Sequence, residues 1–442
     1  MMERYKAYKE SGLPWLRTIP EHWEVRRIKD ILSSVFSGDW GDEPIENNSY
    51  VCVRIADFDN RTGKVVFKDT PTYRSYPINS IDSKQIHNGD ILLEKSGGGE
   101  LVPVARVVLW DRAKEYSPCL CANFIQVLRT KRNEVIPMYL MHLLTILHTM
   151  DIVRLHIKQT TGIQNLSLNT YLSQSLPLPP LEEQRAIAEY LDRETVRIDR
   201  IVELLTKQRE RYAQLKRSLI SEVVTHGLPH HNYTMKEANL PWLDTIPEHW
   251  EISRAKDMFK RMSRSVKETD EIITCFRDGQ VTLRKLRRKD GFTESFKEIG
   301  YQGIRKGDLV IHQMDAFAGA IGISDSDGKG TPVYICLQPI NHLYYNTYYA
   351  YLLREMASSQ FIFSLRKGIR ERSCDFRYDT FATLYLPVPP LEEQQEIVAY
   401  LDERCKRLDR LVEAIDRKIE LLGSLKKSLI EEVVTGQRRI TN

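Results

Sequence analysis

The sequence predicts an α+β protein: two mixed α/β domains joined by two long antiparallel coiled-coil helices, with a pseudo-twofold internal repeat. Three observations lead there. LPWLRTIPEHWEVRRIKD at 13–30 returns as LPWLDTIPEHWEISRAKD at 240–257, 227 positions later. LPLPPLEEQ at Leu176 returns as LPVPPLEEQ at Leu386, and LKRSLISEVVT at Leu215 as LKKSLIEEVVT at Leu425, both 210 positions later. Between these paired motifs, residues 31–175 and 258–385 show no convincing similarity. A duplicated frame holding unlike inserts implies one machine doing the same task at two different targets.

The helical segments open on Pro179-Pro180 and Pro389-Pro390, suited to a first helical turn and excluded from a helix interior. Glu182-Glu183 and Glu392-Glu393 follow, complementing the positive end of a helix dipole. The apolar series Ile187, Leu191, Ile198, Val202, Leu205, Leu215, Leu219 advances mainly in steps of three and four. So does Ile397, Leu401, Leu408, Val412, Ile415, Ile419, Leu422, Leu425, Leu429. This is the spacing of a coiled-coil seam. Gly227 and Gly436 stand where a left-handed residue stops a helix, so each helix runs about 45 residues, or about 65–70 Å. A helix this long with one apolar stripe needs an equally long partner. The duplicate, packed antiparallel, supplies one; a solvated stalk or an oligomerisation coil is the alternative that spacing leaves open.

The unlike blocks read as mixed α/β. Strands are expected at Tyr50–Ile55, Asp90–Leu93, Ala105–Trp110 and Phe124–Leu128, then at Leu309–Ile311, Gly319–Ile323 and Val333–Leu337. Gly89-Asp90 and Gly307-Asp308 read as turns before strands, and helices are expected near Pro137–Met150 and Tyr345–Ser359. The resulting layout is 1–175 first variable block, 176–227 first helical region, 228–239 linker, 240–385 second variable block and 386–442 second helical region.

The chain of 442 residues carries a formal charge of only +4, which argues against a wholly basic polymer-coating protein. The basic residues are uneven, however. Residues 252–306 hold 15 Lys/Arg against 8 Asp/Glu, densest at RKLRRKDG, where Arg287, Arg288 and Lys289 suit phosphate contact. A solvated charged face is the plainer alternative. Segments expected as loops could reach base edges. EKSGGGE supplies Lys95, Ser96, Gly97, Gly98 and Gly99; KQTTGIQN supplies Lys158, Gln159, Thr160, Thr161 and Gln164. Gln and Thr suit adenine edges and thymine methyls. The second block's counterparts are HQMDAFAG, with His312, Gln313, Met314, Asp315 and Phe317, and RKGIRERS, with Arg366, Lys367, Arg370 and Arg372. Its arginines could fork onto guanine or phosphate.

Other chemistry finds little support. The seven cysteines are scattered with no C-x-x-C pair, as expected of reduced thiols in a cytosolic protein rather than structural zinc. MMERYKAYKE does not read as a secretory signal, and no run of 18 apolar residues occurs. Gly328-Lys329-Gly330-Thr331 lacks the first glycine of a nucleotide-binding loop. No methyltransferase fingerprint, nuclease carboxylate-lysine set or nucleophile–base pair stands out, and no catalytic or metal site is expected.

The duplicated IPEHWE (Ile19–Glu24, Ile246–Glu251), PLPPLEEQ or PVPPLEEQ followed by Tyr-Leu-Asp, and LKxSLIxEVVT resemble the specificity subunits of type I restriction-modification systems. GDILLEKSGGG and GDLVIHQMDAFAGAIG resemble segments of that family's target-recognition domains. The resemblance runs from about Leu13 to Gly436. It implies a cytoplasmic, non-catalytic subunit whose two target-recognition domains each read one half of an asymmetric site in double-stranded DNA. The helices would set the gap between halves. Two modification subunits would methylate adenine with S-adenosylmethionine, and two restriction subunits would supply ATP- and Mg2+-dependent translocation and cleavage. The subunit itself would bind none of these cofactors. The contrasting possibility is a coiled-coil scaffold that binds no DNA.

Overall fold

A computed structural model describes residues 4–46, 48–97, 102–112, 114–160, 162–287, 299–365 and 376–440. Four helices matter most: α1 (Pro137–Thr149), α2 (Leu181–His226), α3 (Asn346–Ser358) and α4 (Leu391–Val434). The chain divides into two compact units. The first comprises 1–207 and 416–442, the second 208–415. Each unit therefore takes the beginning of one long helix and the end of the other.

In the first unit, Ile187, Leu191 and Ile198 from the start of α2 share a core with Leu429, Ile430, Val433 and Val434 from the end of α4. In the second, Ile397, Val398 and Leu401 from the start of α4 share a core with Val223 and Val224 from the end of α2. Start against end is the antiparallel pairing expected from the duplicated stripe. The seam departs from expectation at Leu215 and Leu425, which are 53% and 54% exposed. An advance of ten residues, from Leu205 to Leu215 or from Ile415 to Leu425, falls about 80° short of three full turns and carries the side chain off the buried face. Ile220 with Val223, and Ile430 with Val433, take the buried side instead. Both helices end as the glycines foretold: Gly227 and Gly436 follow with φ of +86° and +74°.

The repeated motif before each block forms a β-hairpin. Tyr8–Leu13 pairs with Leu16–Pro20, and Met235–Leu240 with Leu243–Pro247 in the same register. Trp23 and Trp250 are fully buried beneath these hairpins. A strand then closes each block on itself: Glu24–Arg27 pairs with Ser175–Leu178, and Glu251–Arg254 with Tyr385–Val388.

The unlike blocks share one sheet plan. The first unit's six-stranded sheet begins Leu32–Ser37, Ile125–Thr130, Ile91–Glu94, Val107–Leu109. The second unit's four strands follow the same antiparallel order: Phe259–Met262, Tyr334–Pro339, Leu309–His312, Ile321–Ile323. The first sheet then adds Lys64–Val65 and Phe58–Asp59. α1 and α3 each pack on their own sheet and anchor it to the long helices. Tyr139 donates to the carbonyls of Pro177 and Val434 at 3.1 and 3.2 Å. Tyr348 donates to Val224 O at 2.8 Å, and Tyr349 to Pro387 O at 3.4 Å. Among the described residues, no helix is long and apolar enough to cross a membrane.

Candidate nucleic-acid interface

Each block is mounted on its helix by the LEEQ motif. Buried Gln184 accepts from Ile136 N at 3.0 Å and donates to the carbonyls of Glu134 and Pro179. Gln394 does the same with Tyr345 N at 2.8 Å and the carbonyls of Leu343 and Pro389. The preceding glutamates hold the IPEHWE histidines: His22 Nε2 lies 2.8 Å from Glu183, and His249 Nε2 lies 2.7 Å from Glu393. The shared motifs thus fix where each block leaves its helix, while the residues that differ lie beyond.

In the first unit the two segments expected as loops form one ribbon. Ser96–Gly97 pairs with Ile163–Leu166, which pairs in turn with Ile157–Thr160. Their partnership joins stretches more than 60 residues apart, which no local turn signal reveals. Lys158 and Gln159 are exposed on this ribbon, and Lys95 is half-buried. Gln164 is only 2% exposed, and its Oε1 accepts from Val104 N at 3.1 Å. Ser96 is buried and its hydroxyl donates to Asn165 Oδ1 at 2.5 Å. Both therefore face into the protein and hold the ribbon in place. The Thr160 side chain, Gly98, Gly99 and Thr161 lie outside the described residues.

Beneath the ribbon is a buried ion pair. Arg106 donates Nε and Nη2 to Glu94 at 2.7 and 2.8 Å, with Glu94 1% exposed. The carboxylate raises the guanidinium's pKa.

In the second unit, the strand Leu309–His312 runs directly into the segment His312–Gly319. Asp315 N donates to His312 Nδ1 at 3.1 Å, and Arg277 donates to Asp315 Oδ1 at 2.8 Å. Burial lowers the His312 pKa against the opposing pull of Asp315. Gln313 Nε2 reaches Pro332 O at 3.3 Å, Met314 is 48% exposed, and Phe317 packs on Phe363 with ring centres 5.7 Å apart. Arg287 is exposed, 2.8 Å from Asp278 Oδ1 and 4.2 Å above the Phe276 ring. That guanidinium holds the Asp278 carboxyl below its ordinary pKa. Arg288, Lys289, Arg366, Lys367, Arg370 and Arg372 lie outside the described residues.

One shared device escaped the sequence reasoning. The aspartates of the two Gly-Asp turns are almost wholly buried and gripped by arginines. Arg129 donates to Asp90 at 2.9 and 2.7 Å, while His87 N donates to the same carboxylate at 2.7 Å. Arg264 donates to Asp308 at 2.5 and 3.0 Å, joined by Arg305 N and Gln338 Nε2 at 2.8 and 3.0 Å. A carboxylate satisfied on both oxygens fixes the turn that launches the central strand. The sequence signal was the Gly-Asp pair occupying the same place in both blocks. Among the described residues, no group of three or more His, Cys, Asp or Glu side chains could hold a metal ion.

Known proteins share this arrangement. The family model described as the type I restriction modification DNA specificity domain matches twice, over 20–210 and 247–421. A Methanocaldococcus jannaschii chain named as the MjaX specificity subunit of a type I restriction enzyme is 23% identical, over 98% of each chain. The Escherichia coli type I restriction enzyme EcoBI specificity subunit is 22% identical, over 62% of this chain and 60% of its own. A solved structure addressing complex assembly and conformational transition of the type I R-M system superposes with a TM-score of 0.67 at 18% identity, covering 95% of this chain and 99% of that one. The HsdS subunit from Thermoanaerobacter tengcongensis superposes at 0.55, also 18% identical, over 95% and 98%. Two family-model matches spanning most of the chain, one per repeat, place this protein in the type I restriction-modification specificity family, as the non-catalytic subunit that gives the enzyme its DNA specificity.

Proposed function

We propose that each unit reads one half of a bipartite DNA site, and that the duplicated frame docks two modification subunits. The observation that carries this is the shared sheet plan with unlike outer segments: a ribbon bearing Lys158 and Gln159 in one unit, the His312–Phe317 segment in the other. Equal mounts with different reading surfaces suit two different half-sites. Lys95, Lys158, Gln159, Arg287, Gln313 and Met314 are the described candidates for DNA contact. Gln164 and Ser96 support the ribbon instead. Arg288, Lys289 and the 366–372 arginines join the phosphate-contacting candidates on charge alone.

Methylation of adenine with S-adenosylmethionine, and ATP- and Mg2+-dependent translocation and cleavage, belong to the modification and restriction subunits in this scheme. The long-helix frame itself occurs twice, at a 210-residue offset, so a partner recognising its exposed face binds twice. Native mass spectrometry of the assembled methyltransferase tests this. One specificity chain with two modification chains is expected; a stable, active complex with one modification chain would contradict it.

A further inference from the structure

Both units contain a cavity at the same place, walled by the recognition block on one side and a long helix on the other. The first unit's cavity is about 320 Å3 and the second's about 410 Å3. Each is lined from the long helix by residues 210 positions apart: Lys427 and Ile430 in the first, Arg217 and Ile220 in the second. The neighbouring lysines are committed elsewhere, Lys426 to Asp199 at 2.9 Å and Lys216 to Asp409 at 2.6 Å. Lys427 and Arg217 have no hydrogen bond or ion pair among the described residues, so each unit turns one free cation toward its recognition block.

The second cavity is the more strongly built. Phe317 and Gly319 of the His312–Gly319 segment line it, together with Arg217, Arg277, Arg354 and Glu355. Arg277 is tied to Asp315 at 2.8 Å. Arg354 is half-buried and, among the described residues, makes no hydrogen bond or ion pair. Its guanidinium lies flat against the turn at Gly279, where an added Cβ would sit 2.6 Å from Nη1. The glycine thus lets the guanidinium approach the turn closely, where its charge also acts on the Asp278 carboxylate, itself paired with Arg287 at 2.6 Å. The lone carboxyl in the lining, Glu355, has its pKa raised by burial, which weakens its claim as a counter-ion. Two guanidiniums lining one cavity beside the His312–Gly319 segment, neither held by a hydrogen-bonded carboxylate among the described residues, suit an anion with several acceptor oxygens.

We infer that Arg217 and Arg354 bind a backbone phosphate of the DNA strand met by the His312–Gly319 segment. The long helix would then contribute directly to DNA positioning. The inference rests on the proposal that this segment faces DNA. A phosphate contact adds affinity without base preference and registers the strand for the reading segment.

The test uses the full chain assembled with its modification subunits and a duplex carrying the recognised site, titrated across salt concentrations. Arg354→Ala and Arg217→Ala are each expected to weaken specific and non-specific binding alike and to lower the salt slope, by about 0.9 in the double variant that frees their shared phosphate. Arg354→Lys should keep the slope. Replacing single phosphates with neutral methylphosphonates should weaken the wild type at one position, where Arg354→Ala shows no further loss. An unchanged slope in both alanine variants, with unaltered thermal unfolding, would overturn the inference while leaving the half-site proposal standing. Loss of inorganic tripolyphosphate binding with an unchanged DNA slope would also overturn it, by assigning the cavity to a free phosphate compound. A wild-type assembly lacking salt-dependent, site-specific binding would remove both.

Discussion

Lys426 Nζ lies 2.9 Å from both carboxylate oxygens of Asp199, and the same pair recurs with the helices exchanged, Lys216 lying 2.6 Å from Asp409. All four residues obey the 210-residue offset. The duplicated helices therefore clamp each other by equivalent charges, start against end, within each unit. Their surroundings differ. Lys426 and Asp199 are 15% and 13% exposed and Lys426 also donates to Arg61 O, whereas Lys216 and Asp409 are 33% and 54% exposed.

That asymmetry predicts unequal consequences for equivalent substitutions. Lys426→Met leaves a largely buried carboxylate with only its longer 3.7 Å pair to Arg61 and should destabilise the first unit by about 2 kcal/mol. Lys216→Met removes a solvent-screened pair and should cost the second unit less than about 1 kcal/mol. Hydrogen exchange at 195–202 and 405–412 under partial denaturation separates the two. Equal losses would mean burial does not govern these pairs.

The gripped aspartates predict a larger effect. Asp308→Ala strands Arg264 and removes the acceptor of Arg305 N and Gln338. A loss of about 3–5 kcal/mol is expected, with the equivalent Asp90→Ala comparable. Urea unfolding followed by tryptophan fluorescence measures it. A loss below about 1 kcal/mol in either would show that the turn does not depend on its carboxylate.

His142 predicts a pH dependence. It is buried on α1, its Nε2 lacks a hydrogen-bond partner, and burial, with a smaller push from Lys426, lowers its pKa to about 4. An unfolded histidine takes a proton near pH 6.5. Folding is therefore fully favoured by this residue above pH 6.5. The contribution, about 3 kcal/mol, drains away as pH falls toward 4. His142→Leu should flatten the stability of the first unit between pH 7 and 5 relative to wild type. Parallel stability curves for the two proteins would contradict it.

What the sequence disclosed follows the range of the interactions involved. The long helices repeat their signal every turn and twice along the chain, so their limits and antiparallel pairing were legible. α1 and α3 were located almost to the residue for the same reason. Leu215 and Leu425 were misplaced because a ten-residue advance of threes and fours lags about 80° behind the buried face. The ribbon was hidden because KQTTGIQN is polar on both faces and its partner, Ser96–Gly97, is distant in sequence. Asp90 with Arg129, and Asp308 with Arg264, are likewise set by strand pairing rather than local pattern. Gln164 looked available because amides suit base edges; the fold instead uses it to hold Val104.

The central claim is that the two unlike blocks read two separate half-sites. Methylome sequencing of cells carrying the complete system tests it most directly, comparing wild type with a chain whose residues 31–175 are exchanged for another family member's first block. A bipartite methylated motif is predicted in wild type. In the exchange, one half should change while the other half is retained. A motif altered in both halves, from a folded and active exchange protein, would contradict the account.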